Sequence, residues 1–274
     1  MKTYNVALIG YGKMGKIYAK EINKRKEYKI IDILRQKNIS ENPRIVKKIF
    51  KSKKINLIII SSPINTHFKY LQLAYRLRKN IIIEKPLIEN IHQLKKLIQL
   101  NKNYKKRVMI HHNDVLNFEK IKFMNSFKKL QKINKIEMYY GKKEITNSYK
   151  KPFFDWLPHP LSVVITFFGE PNKLKIIKYS KKIKKKIINE KLRLMLDFKN
   201  FPIYLNFSNN FNKPSKKIIV FGYKKRKVYD GYNKKNQRSI KLLLDKFFVS
   251  KKINDVSKNI NTYKLLFKIE KLIQ

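Results

Sequence analysis

Apolar runs recur through the first part of this chain, and each is followed by polar or small residues and then a stretch with helical spacing. Val6, Ala7, Leu8 and Ile9 form the first run, as expected of a parallel strand buried on both faces. Lys16 to Ile22 then reads as a helix, and Tyr28 to Leu34 as a second strand. Ile55 to Ile60, interrupted only by Asn56, reads as another buried strand, followed by helical spacing from Phe68 to Arg78. Asn80 to Pro86 is a short strand stopped by its proline, Leu94 to Leu100 a helix, and Val108 to Ile110 the opening of a further strand. Strands alternating with helices predict an open, doubly wound parallel sheet.

Beyond Asn117 the pattern changes. Phe118 to Leu130 has helical spacing, and then Lys135–Lys143, Lys173–Ser180, Leu192–Phe198, Ile203–Phe207 and Ile218–Tyr223 read as strands. Several are separated only by short turns, which fits a mostly antiparallel sheet. Helices over Ser239–Phe248 and Asp255–Leu272 close the pattern. With no internal repeat and no Gly/Ser/Pro-rich linker, the expected division is by pattern: a doubly wound parallel-sheet domain over 1–115, and over 116–274 an α/β domain with a mostly antiparallel sheet. The expected class is α/β.

The first strand runs into Gly10, Gly12 and Gly15, a G-x-G-x-x-G that opens a helix. Three of the seven glycines in the chain fall in this six-residue window. In such a turn the first glycine lets the chain leave the strand sharply, the second lets backbone approach a pyrophosphate, and the third lets helix pack on sheet. The helix N-terminus offers free N–H groups to phosphate oxygens. About 20 residues beyond the last glycine stands Arg35, where an acid would suit the ribose hydroxyls of NAD and an arginine the extra phosphate of NADP. The expected cofactor is NAD(P), with Arg35 pointing to NADP unless it is one more surface charge. Ligands of open parallel sheets lie outside the carboxyl ends of the strands. The glycine turn, the Ser61-Ser62-Pro63 turn and Glu84-Lys85 all fall at that edge.

Charge adds an oddity. Lys+Arg number 66 against 18 Asp+Glu, a formal net charge of +48. An anionic partner is one explanation; the other is compositional drift toward Lys, Asn and Ile, since lysines occur throughout and only Lys181–Lys186 forms a dense run. No helix-turn-helix, finger or aromatic platform points to specific nucleic-acid readout. The absence of cysteine excludes disulfides, thiolate metal sites and cysteine nucleophiles. No apolar run approaches the ~20 residues of a membrane span, and the first strand leaves no room for a signal peptide, so a soluble cytoplasmic protein with no membrane partner is expected.

Taken together, G-x-G-x-x-G, then I-I-I-S-S-P-I-N-T-H ending at His67, then E-K-P-L at Glu84–Leu87 resembles the Gfo/Idh/MocA family of oxidoreductases. The stretch D-W-L-P-H-P-L-S from Asp155 to Ser162 resembles that family's second signature, D-x-G-x-H-x-x-D. The resemblance implies a Rossmann domain followed by an α/β domain with a large open sheet, and hydride transfer between nicotinamide and a secondary alcohol or ketone of a sugar or sugar-nucleotide-like substrate. It implies a catalytic set of Lys85, Asp155 and His159, with Lys85 on the substrate hydroxyl and nicotinamide ribose and His159 exchanging the carbinol proton. The expected cofactor contacts are Gly10, Gly12, Lys13, Met14, Gly15, Arg35, Ser62, Pro63, His67, Glu84 and Lys85. A homo-oligomer built through the second sheet is expected as well.

Pro158 and Pro160 suit a first helical turn, so His159 is expected at a helix N-terminus, where the macrodipole favours a neutral base. His111 and His112 read as a strand-end pair, and Trp156 as either a sugar-stacking or a packing residue. Two positions depart from the signature: Leu157 stands for its glycine and Ser162 for its second acid. The acid missing at Ser162 and the charge leave a non-catalytic NAD(P)- or polyanion-binding protein open, and within the resemblance the rival is a redox-assisted NAD-dependent glycoside hydrolase.

Overall fold

The structure, a computed structural model, describes residues 3–42, 44–126, 132–143, 152–184, 187–232, 239–250 and 255–274. Its contacts divide the chain into two compact units. The first comprises Met1–His112 with Gln237–Ile260, the second Asn113–Asn236 with Asn261–Gln274.

In the first unit β1 (Tyr4–Ile9), β2 (Tyr28–Leu34), β3 (Leu57–Ile60), β4 (Asn80–Glu84) and β5 (Val108–His111) form a parallel sheet in the order β2-β1-β3-β4-β5. Ile58, Ile59, Ile81, Ile82 and Ile83 are completely buried, so consecutive residues on opposite faces are both covered. The apolar runs are unbroken for that reason. The connecting helices are α1 (Lys13–Ile22), α2 (Gln36–Glu41), α3 (Arg44–Lys51), α4 (Ile64–Arg76) and α5 (Ile91–Asn101). Helices α2 and α3 carry no continuous apolar run in sequence; α3 buries only Val46, Ile49 and Phe50. Helix α4 starts at Ile64, four residues before the expected Phe68, because Pro63 supplies an extended residue at its N-cap.

The second unit holds α6 (Phe118–Ser126), β6 (Ile133–Gly141), α7 (Pro152–Trp156), α8 (Pro158–Phe168), β7 (Lys173–Lys184), β8 (Ile187–Phe198), β9 (Phe201–Ser208), β10 (Ser215–Gly222) and β11 (Arg226–Asp230). The strands lie in the order β11-β10-β6-β9-β8-β7; β6 and β9 are parallel and the other neighbours antiparallel. Strand β11 is short, Lys/Arg-rich and buried only at Tyr229, so it has no apolar alternation to read. The expected helix to Leu130 is described to Ser126, and Lys185 and Lys186 of the lysine run also lie outside the described residues.

Two helices follow, α9 (Ser239–Val249) and α10 (Val256–Ile273). Helix α9 belongs to the first unit. Phe247 packs edge-on to Tyr4 at 5.4 Å between ring centres, Tyr28 Oη donates to the Leu244 carbonyl at 2.7 Å, and Arg107 donates to the Phe247 carbonyl at 2.9 Å. Arg25 and Asp245 add an ion pair at 3.0 Å.

Candidate active site

The first candidate site lies where β1 meets β2 on one side and β3 on the other, the point at which the strand order reverses. A cavity of about 390 Å³ opens there, lined by Gly10, Tyr11, Gly12, Arg35, Gln36, Ile39, Ser61, Ser62 and Pro63. These residues come from the turns after three neighbouring strands, which is where open α/β sheets take ligands.

Each glycine has a distinct steric reason. Gly10 has φ 95°, a left-handed conformation disfavoured for side chains, and its amide donates to the Leu34 carbonyl at 2.8 Å. A Cβ on Gly15 would run into the Gly10 carbonyl, so the helix could not pack against the turn. At Gly12 a Cβ would meet no atom within 4 Å, because it points into open space at the start of α1. Lys13, Met14 and Gly15 form the first helical turn, whose amides have no partner within the helix. This arrangement fits a pyrophosphate, which needs close backbone approach and free amides. The Arg35 guanidinium lies 4.9 Å above the Tyr11 ring at the cavity wall.

Ser62, Pro63 and His67 sit around the β3–α4 turn. Pro63 lines the cavity and Ser62 Oγ is 2.6 Å from Thr66 Oγ1. His67 is buried, with Nε2 2.7 Å from the Ser62 carbonyl and Nδ1 2.8 Å from the Pro86 carbonyl. Its ring therefore ties the β3 turn to the turn after β4 and reaches the cavity only through Ser62. Strand β4 ends at Glu84, and the Lys85–Pro86 bond is cis. Glu84 is buried, with Oε1 2.6 Å from His111 Nδ1; His111 Nε2 is 3.1 Å from Ser239 Oγ. Burial alone would push the Glu84 carboxyl up, but His111, Tyr18 and Lys85 outweigh it and hold the group below its ordinary value. His112 pairs with Asn259. Both strand-end histidines thus fasten the end of β5 to segments late in the chain.

The second candidate site is built within the second unit. Pro158 occupies the first turn of α8 and His159 follows it, as the two prolines predict. His159 is almost fully buried, and its Nδ1 lies 2.7 Å from Asp114 Oδ2. Asp114, in the segment between β5 and α6, was not among the sequence candidates. Its Oδ2 also accepts from Lys216 Nζ of β10 at 2.9 Å, and its Oδ1 pairs with Lys120 Nζ of α6. Lys120 is 1% exposed, donates to Tyr140 Oη at 2.9 Å, and lies against the Tyr140 and Tyr229 rings. Burial pushes the Asp114 carboxyl up, but Lys120, Lys216 and His159 hold it well below the carboxylate range; burial pushes the Lys120 ammonium below its ordinary value. Trp156 lies 6.0 Å from the His159 ring, with Lys142 and Lys216 near its own.

Asp155 stands exposed on α7, four residues before His159. Ser162, where the signature has its second acid, is buried and donates to the His159 carbonyl at 2.8 Å, an ordinary helical back-bond. The only local sign of Asp114 was an acid beside an apolar pair, Val115-Leu116, in a chain with 18 acids; Lys120 and Lys216 were hidden among 66 basic residues.

Residues 4–112 match the Gfo/Idh/MocA profile, described as an oxidoreductase family with an NAD-binding Rossmann fold. The match covers the part of the chain that forms the parallel sheet. An oxidoreductase from Formosa agariphila is 22% identical over 171 residues, covering 56% of this chain and 53% of that protein. The chain spans about half the length, or less, of the curated relatives it matches. Among solved structures, a presumed myo-inositol dehydrogenase from Sinorhizobium meliloti superposes with TM-score 0.81 at 14% identity, covering 96% of this chain and 95% of that one. Biliverdin reductase from Synechocystis, solved with biliverdin and NADP+, superposes with TM-score 0.74 at 12% identity over 95% and 96%. At these identities the superpositions establish a shared fold, the two-sheet α/β architecture described above.

Proposed function

We propose that this chain is a Gfo/Idh/MocA-type NAD(P)-dependent dehydrogenase or reductase acting on a secondary alcohol, or its ketone, of a sugar or sugar-nucleotide-like substrate. The observation that carries the reading is the cavity at Gly10–Gly12: a strand-reversal point with open space at the N-cap glycine, inside the domain that matches an NAD-binding family. The backbone at Gly12–Gly15 would hold the pyrophosphate, and Arg35, on the cavity wall, would hold the adenosine 2′-phosphate of NADP. When bound, the nicotinamide supplies the hydride chemistry. Lys85, at the carboxyl end of β4, would bind the reacting oxygen and stabilise its negative charge. His159 would take the carbinol proton in the oxidising direction and return it in the reducing one. Asp155, exposed beside that helix, would contact substrate hydroxyls. On this reading residues 1–115 serve the cofactor and 116–274 the substrate. Exposed Ile177 and Val228 on strands of the second sheet support self-association through that sheet.

Turnover of a panel of polyols, sugars and nucleotide sugars, read by nicotinamide absorbance with NAD and NADP in parallel, tests the proposal. Activity that falls by roughly 10²–10⁴ in His159→Asn, with cofactor affinity retained, is the expected result. Cofactor binding without turnover of any substrate would favour a binding protein instead. Release of sugar from glycosides without net change in nicotinamide would favour a hydrolase.

A further inference from the structure

In a chain with 66 basic residues one more arginine means little, and Arg35 is distinguished by its setting. Of the described residues lining the cavity at the β1, β2 and β3 turns it alone is charged. Its guanidinium lies 4.9 Å above the ring of Tyr11, which lines the same cavity. We infer that Tyr11 is a positioning residue for Arg35: its ring holds the guanidinium at the cavity wall and so strengthens the preference for NADPH over NADH. This rests on the proposed function for the ligand, and adds to it the residue that makes Arg35 selective.

Three observations support it. The backbone that carries the guanidinium is fixed: Arg35 is extended at the start of α2 (φ −93°, ψ 159°), its N–H donates to Asn38 Oδ1 at 3.1 Å, and its carbonyl accepts from the Ile39 amide at 3.2 Å. The backbone that carries the ring is fixed to it. Tyr11 stands between Gly10, whose amide donates to the Leu34 carbonyl at 2.8 Å, and Gly12, whose carbonyl accepts from the Lys16 amide at 3.0 Å. Leu34 directly precedes Arg35, so the two turns are hydrogen-bonded to each other beside the contact. Third, Glu41 of α2 pairs with Lys37 at 3.8 Å, and no carboxylate among the described residues is within ion-pair range of the Arg35 guanidinium. Its N–H groups are therefore left for an anion. A guanidinium can rest one face on an aromatic ring while the N–H groups on its edge meet a phosphate, so the two contacts do not compete. An arginine held in this way loses less side-chain freedom when the phosphate binds, and the saving appears as affinity. NADH has a hydroxyl where NADPH has its 2′-phosphate, so it gains nothing from a positioned guanidinium.

Calorimetric titration of NADPH and of NADH into the wild type, Tyr11→Phe, Tyr11→Leu, Arg35→Ala and Tyr11→Leu/Arg35→Ala tests the assignment. Tyr11 is only partly buried, so these changes leave the fold intact, and a melting curve for each variant checks that. The wild type should prefer NADPH. Tyr11→Leu, which keeps an apolar side chain but no ring, should cut the ratio of NADPH to NADH affinity by roughly two- to fivefold, the worth of a solvent-exposed cation–π contact. Tyr11→Phe keeps the ring and should keep the ratio. In the Arg35→Ala background, Tyr11→Leu should change the ratio no further. A wild type without a preference for NADPH overturns the inference. So does an unchanged ratio in Tyr11→Leu, including equal losses of both cofactors, which would put the ring against a part they share. A Tyr11→Phe variant as impaired as Tyr11→Leu, or an effect of Tyr11→Leu that persists without Arg35, overturns it too. If the wild type binds neither cofactor, the proposed function fails and the inference falls with it. If both bind with the expected ratios and no substrate turns over, the proposed reaction fails and the Tyr11 assignment stands.

Discussion

Lys120 offers a quantitative test of the buried charge cluster. Lys120→Met keeps most of the side-chain volume and removes the ammonium that pairs with Asp114 and donates to Tyr140 Oη. A contact ion pair with charge centres ~4 Å apart is worth about 4 kcal/mol at an effective dielectric of 20. The lost hydrogen bond to Tyr140 adds about 1 kcal/mol. Against these stands the desolvation of a buried ammonium, which methionine avoids and which pushes the Lys120 ammonium below its ordinary value. Asp114 also keeps Lys216 as a partner. The net loss should be about 3 kcal/mol, at the lower end of what breaking a buried pair costs. At ~2–4 °C per kcal/mol this is a fall in Tm of roughly 6–12 °C. Trp156 is the only tryptophan and lies in the same unit, beside His159, so urea unfolding followed by its emission reads the right part of the molecule. Asp114→Asn/Lys120→Met should recover much of the loss, since removing both charges leaves neither orphaned. A single variant less than about 1 kcal/mol below wild type, or a double variant no better than the sum of the singles, would refute a coupled buried pair.

Three further outcomes are expected. Gly12→Val should leave the melting curve unchanged, because φ is −77° and its Cβ meets no atom, while abolishing NAD(P)H binding in a fluorescence titration; retained affinity would remove the pyrophosphate from this turn. Arg35→Ala should weaken NADPH far more than NADH, since only the former has a phosphate to pair; equal losses by calorimetry would make the arginine a bystander. Acid should destabilise both units: Glu84 and Asp114 have folded pKa values below their unfolded ones, so the stability they contribute is present above about pH 4 and is lost as pH falls through the folded values. A urea midpoint that stays constant between pH 6 and 3 would contradict this.

What could be read from sequence followed from how local the cause was. The glycine turn and buried strands are legible because Gly10, Gly12 and Gly15 fall within six residues between one strand and one helix, and both faces of each strand are covered. His159 was placed at a helix start by the prolines on either side. Its carboxylate partner was not, because Asp114 is 45 residues away and its lysines arrive from α6 and β10, with nothing local to mark them among so many others. Glu84 and His67 were expected as cofactor contacts from their motifs, and lie beneath that edge, tying turns and strand ends together. Strand β11 escaped notice because it buries only Tyr229 and leaves no period, and helix α3 because its one helical triplet, Val46, Ile49 and Phe50, is short and set among lysines.

The return of α9 to the first sheet has a consequence during synthesis. Phe247, which packs against Tyr4, follows it about 240 residues later, roughly 12–50 s at ordinary elongation rates. Through that interval Tyr4, Tyr28 and Arg107 lack their late partners, and His111 lacks Ser239. The first sheet is therefore completed only after the whole of the second has been made, and a gene cut after the fifth strand would deliver it with that face bare.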